Sequence, residues 1–179
     1  MRGDLACPTT TSVEVLKTRR KTHCAHFRHA KTRWNSKYFS NFTFLIQNNS
    51  LNANIDVLKP LHAGFKSHIE VQIRLTGSKS YQTLFTYNLD ICSVVISFKN
   101  TIFKKWFRSL LKAGNFMQNC PIYSGHYYLD GWKLEGDLVP TYLYAGSYRL
   151  KSYTFYGKFK GKDEDFMVEI DMDIDLVDE

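Results

Sequence analysis

At 179 residues, 44% of them hydrophobic, the chain is long enough to bury roughly two-thirds of its unfolded surface as one domain. Such a composition excludes an intrinsically disordered chain. The net charge of +7 is divided unevenly: residues 1–37 carry nine Lys/Arg against two acidic residues, and residues 163–179 carry nine Asp/Glu and no base. A basic front half suits nucleic acid, but the acidic end argues against a uniform phosphate-binding surface, because the two ends can neutralise each other. With 13 Phe, 11 Tyr and 3 Trp, the chain is rich in rings that favour strands and fill wide interiors.

No run of about 18 apolar residues is present, so no transmembrane helix is expected. Residues 1–20 also lack the apolar core of a signal peptide, which taken alone predicts a cytosolic start. The four cysteines, Cys7, Cys24, Cys92 and Cys120, are compatible with two bridges without being dense enough to require them. Asn41 and Asn48 each open a glycosylation sequon.

Residues 1–36 are polar and basic without a sustained period, and read as a poorly ordered N-terminal segment before a domain spanning 37–179. Beyond Tyr38 the period is two, the spacing that gives a strand one buried face. Phe42, Phe44 and Ile46 alternate with Thr43, Leu45 and Gln47; Ile69, Val71, Ile73 and Leu75 alternate more clearly with Glu70, Gln72 and Arg74, and Gly77-Ser78 supplies a turn. Residues 81–95 continue as strand in mixed register. From Asn100 to Gly114 the period changes: Ile102, Phe103, Trp106, Phe107, Leu110 and Leu111 form one face, with Lys104, Lys105, Arg108 and Lys112 opposite. Asn100 as N-cap and Gly114 at C′ bound one amphipathic helix over about 100–113. Strands return at 123–134, with a bend at Gly131, and at 148–159. Over 166–176, Phe166, Val168, Ile170, Met172, Ile174 and Leu176 alternate with acidic residues. A hairpin through Gly161–Glu164 places Lys158, Lys160 and Lys162 to face that acidic row. Six to eight strands with one helix predict a mainly β fold, an antiparallel immunoglobulin-like β-sandwich.

One stretch carries a family resemblance. Asp90-Ile-Cys92, the amphipathic helix and Asn115-Phe-Met-Gln-Asn-Cys120-Pro121 are followed by Gly125-His-Tyr127, Leu138-Val-Pro140 and Gly146-Ser-Tyr148. This ordered set resembles an insect family of small secreted proteins of unknown function (unknown-function family 1091) that includes the CheB chemosensory proteins. Those are in turn similar to the ganglioside activator and other ML-type lipid-recognition domains. The resemblance runs from about Tyr38 to Leu176 and is strongest from Cys92 to Tyr148. It implies secretion, a lipid-recognition sandwich with an apolar ligand between its sheets, and a bridge between Cys92 and Cys120. Whether Cys7 and Cys24 form a second bridge is left open by the sequence. The chain departs from the family pattern at its start, where no signal peptide is visible.

On that reading the ligand meets Phe103, Trp106, Phe107 and Leu110 on the helix and Tyr127, Leu129, Trp132 and Leu134 beyond it, although core packing accounts for the same side chains. The basic helix face would meet anionic head groups or, transiently, a membrane surface. His23, Cys24, His26 and His29 suggest a metal, but four ligands in one short run make poor geometry, and no metal or cofactor is expected. No Gly-x-Ser-x-Gly elbow, phosphate loop or His-Glu-x-x-His occurs, so no catalytic residues are assigned and the chain reads as a non-enzyme. The expectation is an extracellular, monomeric binder of a lipid or other hydrophobic small molecule. The alternatives are a solid-cored protein-interaction module, or nucleic-acid binding through the basic N-terminal segment.

Overall fold

A computed structural model describes residues 23–98, 104–115, 118–140 and 142–178. Eight strands form two antiparallel sheets. The larger holds β1 (His23–Trp34), β8 (Asp165–Asp178), β7 (Gly146–Tyr156), β4 (Lys66–Leu75) and β5 (Gln82–Asp90), in that order. The smaller holds β2 (Phe39–Gln47), β3 (Ser50–Val57) and β6 (Gly125–Trp132). The expected β-sandwich is therefore present.

The pairing registers arrange the large sheet's inner face as cross-strand rows. One row is Ala30–Met172–Leu150–Val71–Phe85, and its neighbour is Thr32–Ile170–Ser152–Ile69–Tyr87. Phe42, Ile55 and Leu129 are among the buried residues that the small sheet contributes to the core. At one end, Tyr38, Phe39, Phe42, Ile55, Phe65, Ile122 and Met167 close a core around Cys92. The Cys92–Cys120 bridge fixes that end. Cys24 is disulfide-bonded too, whereas Cys7 lies outside the described residues.

Three expectations are corrected. The N-terminal segment does not extend to residue 36, because His23–Trp34 is an edge strand paired along its length with β8. Its inward residues are small or few (Ala25, Phe27, Ala30, Thr32), and a bulge between Phe27 and His29 breaks the period, so alternation alone does not reveal it. Secondly, the acidic row on β8 is met mainly from β1 and β7, not from the 158–162 lysines. Arg28 binds Asp175 at 2.7 Å, Arg33 binds Glu169 at 2.9 Å, and Arg149 grips Asp173 with two bonds of 2.8 and 3.2 Å. Lys160 instead donates its backbone N–H to Glu164 across its own turn.

Thirdly, there are two helices where one was expected: α1 (Ile91–Phe98) and α2 (Lys104–Lys112). The strand expected over 81–95 stops at Asp90, whose carboxylate accepts from Ser93 N–H at 2.8 Å and so caps the new helix. The proposed N-cap Asn100 lies outside the described residues. Gly114 is required for a reason other than a left-handed C′ conformation. An added Cβ there would sit 2.0 Å from the Tyr128 carbonyl oxygen, because residues 113–115 run as an extra rung along the β6 edge. Asp130 N–H donates to Ala113 O at 2.7 Å, and the Asn115 side chain bonds both Tyr128 N–H and His126 O.

Several phenols are held in their neutral form. Burial raises Tyr153 from 10.0 to about 12, helped by its hydrogen bond to Glu164. Burial likewise raises Tyr38, Tyr148 and Tyr156. A folded value above the unfolded one gives stability that is fully present below pH 10 and is lost as pH rises from about 10 towards about 12. Tyrosinate absorbance should therefore lag behind that of an unfolded control through this window, and denaturant midpoints should fall there. Superimposable titrations of folded and unfolded chains would contradict this.

Candidate functional site

The residues expected to hold a ligand divide into two groups. Phe107, Leu129 and Trp132 are buried in the core, and Tyr127 packs against the disulfide-end cluster. Trp106, Leu110 and Leu134 are half-buried along the central cluster of Phe27, Leu51, Leu129, Trp132, Leu138 and Met172. Phe103 lies outside the described residues. The indoles are tied down: Trp106 donates to Leu138 O at 2.7 Å and Trp132 to Ser109 Oγ at 2.9 Å, with the two rings 6.0 Å apart. These residues dock α2 on β6.

Sequence reasoning missed the neighbouring feature. Three strands cannot cover five, and the small sheet leaves the β4–β5 side of the large one exposed. There the inner rows end in Ile69–Tyr87 and Val71–Phe85, followed by Ser67–Leu89. Phe85 is 42% exposed and Tyr87 60%, with their rings 5.5 Å apart. Ile69, Phe85, Tyr87 and Leu89 join none of the core clusters formed by the described residues. No ionisable side chain lies in the stretch Gln82–Leu89 apart from the Tyr87 phenol. The strand signals for 69–75 and 84–89 are plain in the sequence, but which of these residues the second sheet leaves bare follows only from the strand count.

The α2 arm and β7, the strand beside β4, both reach one core cluster. Leu150 packs in the same cluster as Trp106 and Leu110, and it is the cross-strand neighbour of Val71, itself paired to Phe85. Two strand spacings, roughly 10 Å, therefore separate Phe85 from Leu150. The outer side of α2 presents Lys104, Lys105, Arg108 and Lys112. A cleft of about 540 Å³ lies between Lys105, Arg108 and Lys112 on one side and Asp130, Lys133 and Glu135 on the other. A second cleft, of about 560 Å³, opens at the far end of β4 between Leu75, His23, Tyr142 and Tyr144.

The sequons differ in setting. Asn48 is exposed at the β2–β3 turn with φ 50°, and Asn41 is half-buried on β2, donating to Asn54 O at 3.3 Å. On β1, His23 is buried with Nδ1 3.0 Å from Asp178. The suggested metal cluster loses Cys24 to a disulfide. Among the described residues no group of three or more His, Cys, Asp or Glu is placed to hold a metal ion.

The arrangement defines a disulfide-bonded β-sandwich of unequal sheets, with an apolar inner face on the surplus strands and a basic helix docked on β6 of the small sheet. Residues 67–150 match the model of a protein family of unknown function, DUF1091. The matched stretch runs from β4 into β7, and so contains the wing, both helices and the Cys92–Cys120 bridge. No curated protein matches the chain.

Proposed function

We propose that the protein is an extracellular binder of a lipid or other hydrophobic small molecule, held on the inner face of β4–β5, and that it works by binding and not by catalysis. The observation that carries this reading is the wing itself: four apolar side chains (Ile69, Phe85, Tyr87, Leu89) lie on the inner-face rows of strands that, among the described residues, no second sheet covers. Exposed apolar surface of this kind is costly in water and is usually a contact surface. The exposed cations on α2 suit an anionic head group, while the tail lies on the wing. Oxidised cysteines favour an oxidising compartment. Among the described residues no helix is long and apolar enough to cross a membrane.

Affinity drawn from tail burial rises by about 0.8 kcal/mol per CH₂, so each added carbon should tighten binding about fourfold until the wing is covered. Isothermal titration of a homologous series of straight-chain carboxylates against delipidated protein reads this directly. Phe85→Glu, which puts a charge at the centre of the face, should abolish the chain-length dependence without unfolding the protein, since Phe85 already meets water. Affinity indifferent to chain length would overturn the proposal.

A further inference from the structure

Among the described residues, the outer edge of β5 is the less guarded end of the large sheet. β5 pairs, among the described residues, with β4 alone. The opposite edge, β1, carries Arg28, Lys31 and Arg33 and turns onto the small sheet, where Thr32 Oγ1 donates to Phe42 O at 3.4 Å. Natural edges are commonly blunted by charge, proline or bulges. From Gln82 to Leu89, β5 has no Lys, Arg, Asp, Glu or Pro, and residues 82–88 are all exposed. Its one bulge falls at Leu84, between the Phe85–Val71 and Thr83–Gln72 pairs, which leaves Phe85–Leu89 as a regular ladder.

We propose that a second copy of this chain adds to that edge, antiparallel, about a two-fold axis passing through Tyr87. This register lets the flat stretch pair with itself. Tyr87 meets the second copy's Tyr87, Phe85 meets its Leu89 on the inner face, and Thr86 meets its Asn88 on the outer face. No charge opposes a like charge, and aromatic and apolar cross-strand pairs stabilise the contact. Moving the axis to Asn88 would set Phe85 against the first residue of α1, which is no longer strand. Moving it to Thr86 would bring the bulged Leu84 into the ladder. The resulting sheet has ten strands and joins two wings into one apolar floor. The pairing is backbone-driven and does not depend on whether the wing holds a ligand, so it is tested on delipidated protein.

Sedimentation equilibrium across the micromolar range should show the wild-type protein as a dimer. Directly opposed Cα atoms in an antiparallel pair lie about 4.5–5.5 Å apart, so Tyr87→Cys should oxidise to a covalent dimer. Asn88→Cys should not, because its own copy across the axis is roughly 8 Å away, beyond disulfide reach. The expected result is at least about tenfold more covalent dimer for Tyr87→Cys than for Asn88→Cys. Wild-type protein that stays monomeric throughout, or variants that cross-link equally or not at all, would overturn this interface.

Discussion

Serine at both Cys92 and Cys120 should lower stability by roughly 3.5 kcal/mol, because the bridge closes a loop of 28 residues. The loss arises mainly in the unfolded chain, whose freedom the bridge restricts. Locally it falls on the end of the sandwich where Tyr38, Phe39, Phe65 and Ile122 pack around Cys92. For a chain of this size a change of that magnitude lowers the melting temperature by about 2–4 °C per kcal/mol, or roughly 7–14 °C in total. Calorimetry of the double-serine variant checks it. Reduction of the wild-type protein should match or exceed the effect, since Cys24 is also bridged. A melting temperature unchanged by the double substitution would mean that the bridge does not constrain the unfolded chain.

Trp132→Ala should cost about 3–5 kcal/mol, the range for deleting a large buried side chain. Trp132 joins three elements: its ring lies 6.1 Å from that of Phe27 on β1 and 6.0 Å from that of Trp106 on α2, and its Nε1 holds Ser109. Removing it leaves a void under α2 and an unpaired Ser109 hydroxyl, so helix docking should loosen along with global stability. Trp132→Phe refills most of the volume but not the hydrogen bond, and should recover more than half of the loss. Denaturant unfolding gives the magnitudes, and near-ultraviolet circular dichroism reports the loss of the paired indoles. A loss under about 1 kcal/mol for the alanine variant would show that Trp132 is not the anchor described.

Much of the fold is legible in the sequence because its central strands are amphipathic. Ile69, Val71 and Ile73 on β4, and the alternating Val168–Leu176 run on β8, announce a buried face through period two. What stays hidden is hidden for physical reasons. β1 is an edge strand with small inward residues and a bulge, so its alternation is diluted while its basic residues resemble a solvated tail. α1 begins where Asp90 caps it, within an apolar run that periodicity cannot distinguish from strand. The candidate site is legible only in outline. Aromatic content and the amphipathic helix point to the right region, but Trp106, Phe107, Leu129 and Trp132 are drawn into docking α2. The side chains left for a guest are Ile69, Phe85, Tyr87 and Leu89, whose exposure depends on the mismatch of five strands against three.

The most direct test of the binding account uses a long-chain carboxylic acid bearing a diazirine near its tail, photolysed on delipidated protein, with adducts mapped by peptide sequencing. Labelling should concentrate on β4 and β5, at Ile69, Phe85, Tyr87 and Leu89, and should be lost in Phe85→Glu. Adducts scattered evenly over the surface, or confined to the cleft by Tyr142 and Tyr144, would contradict it.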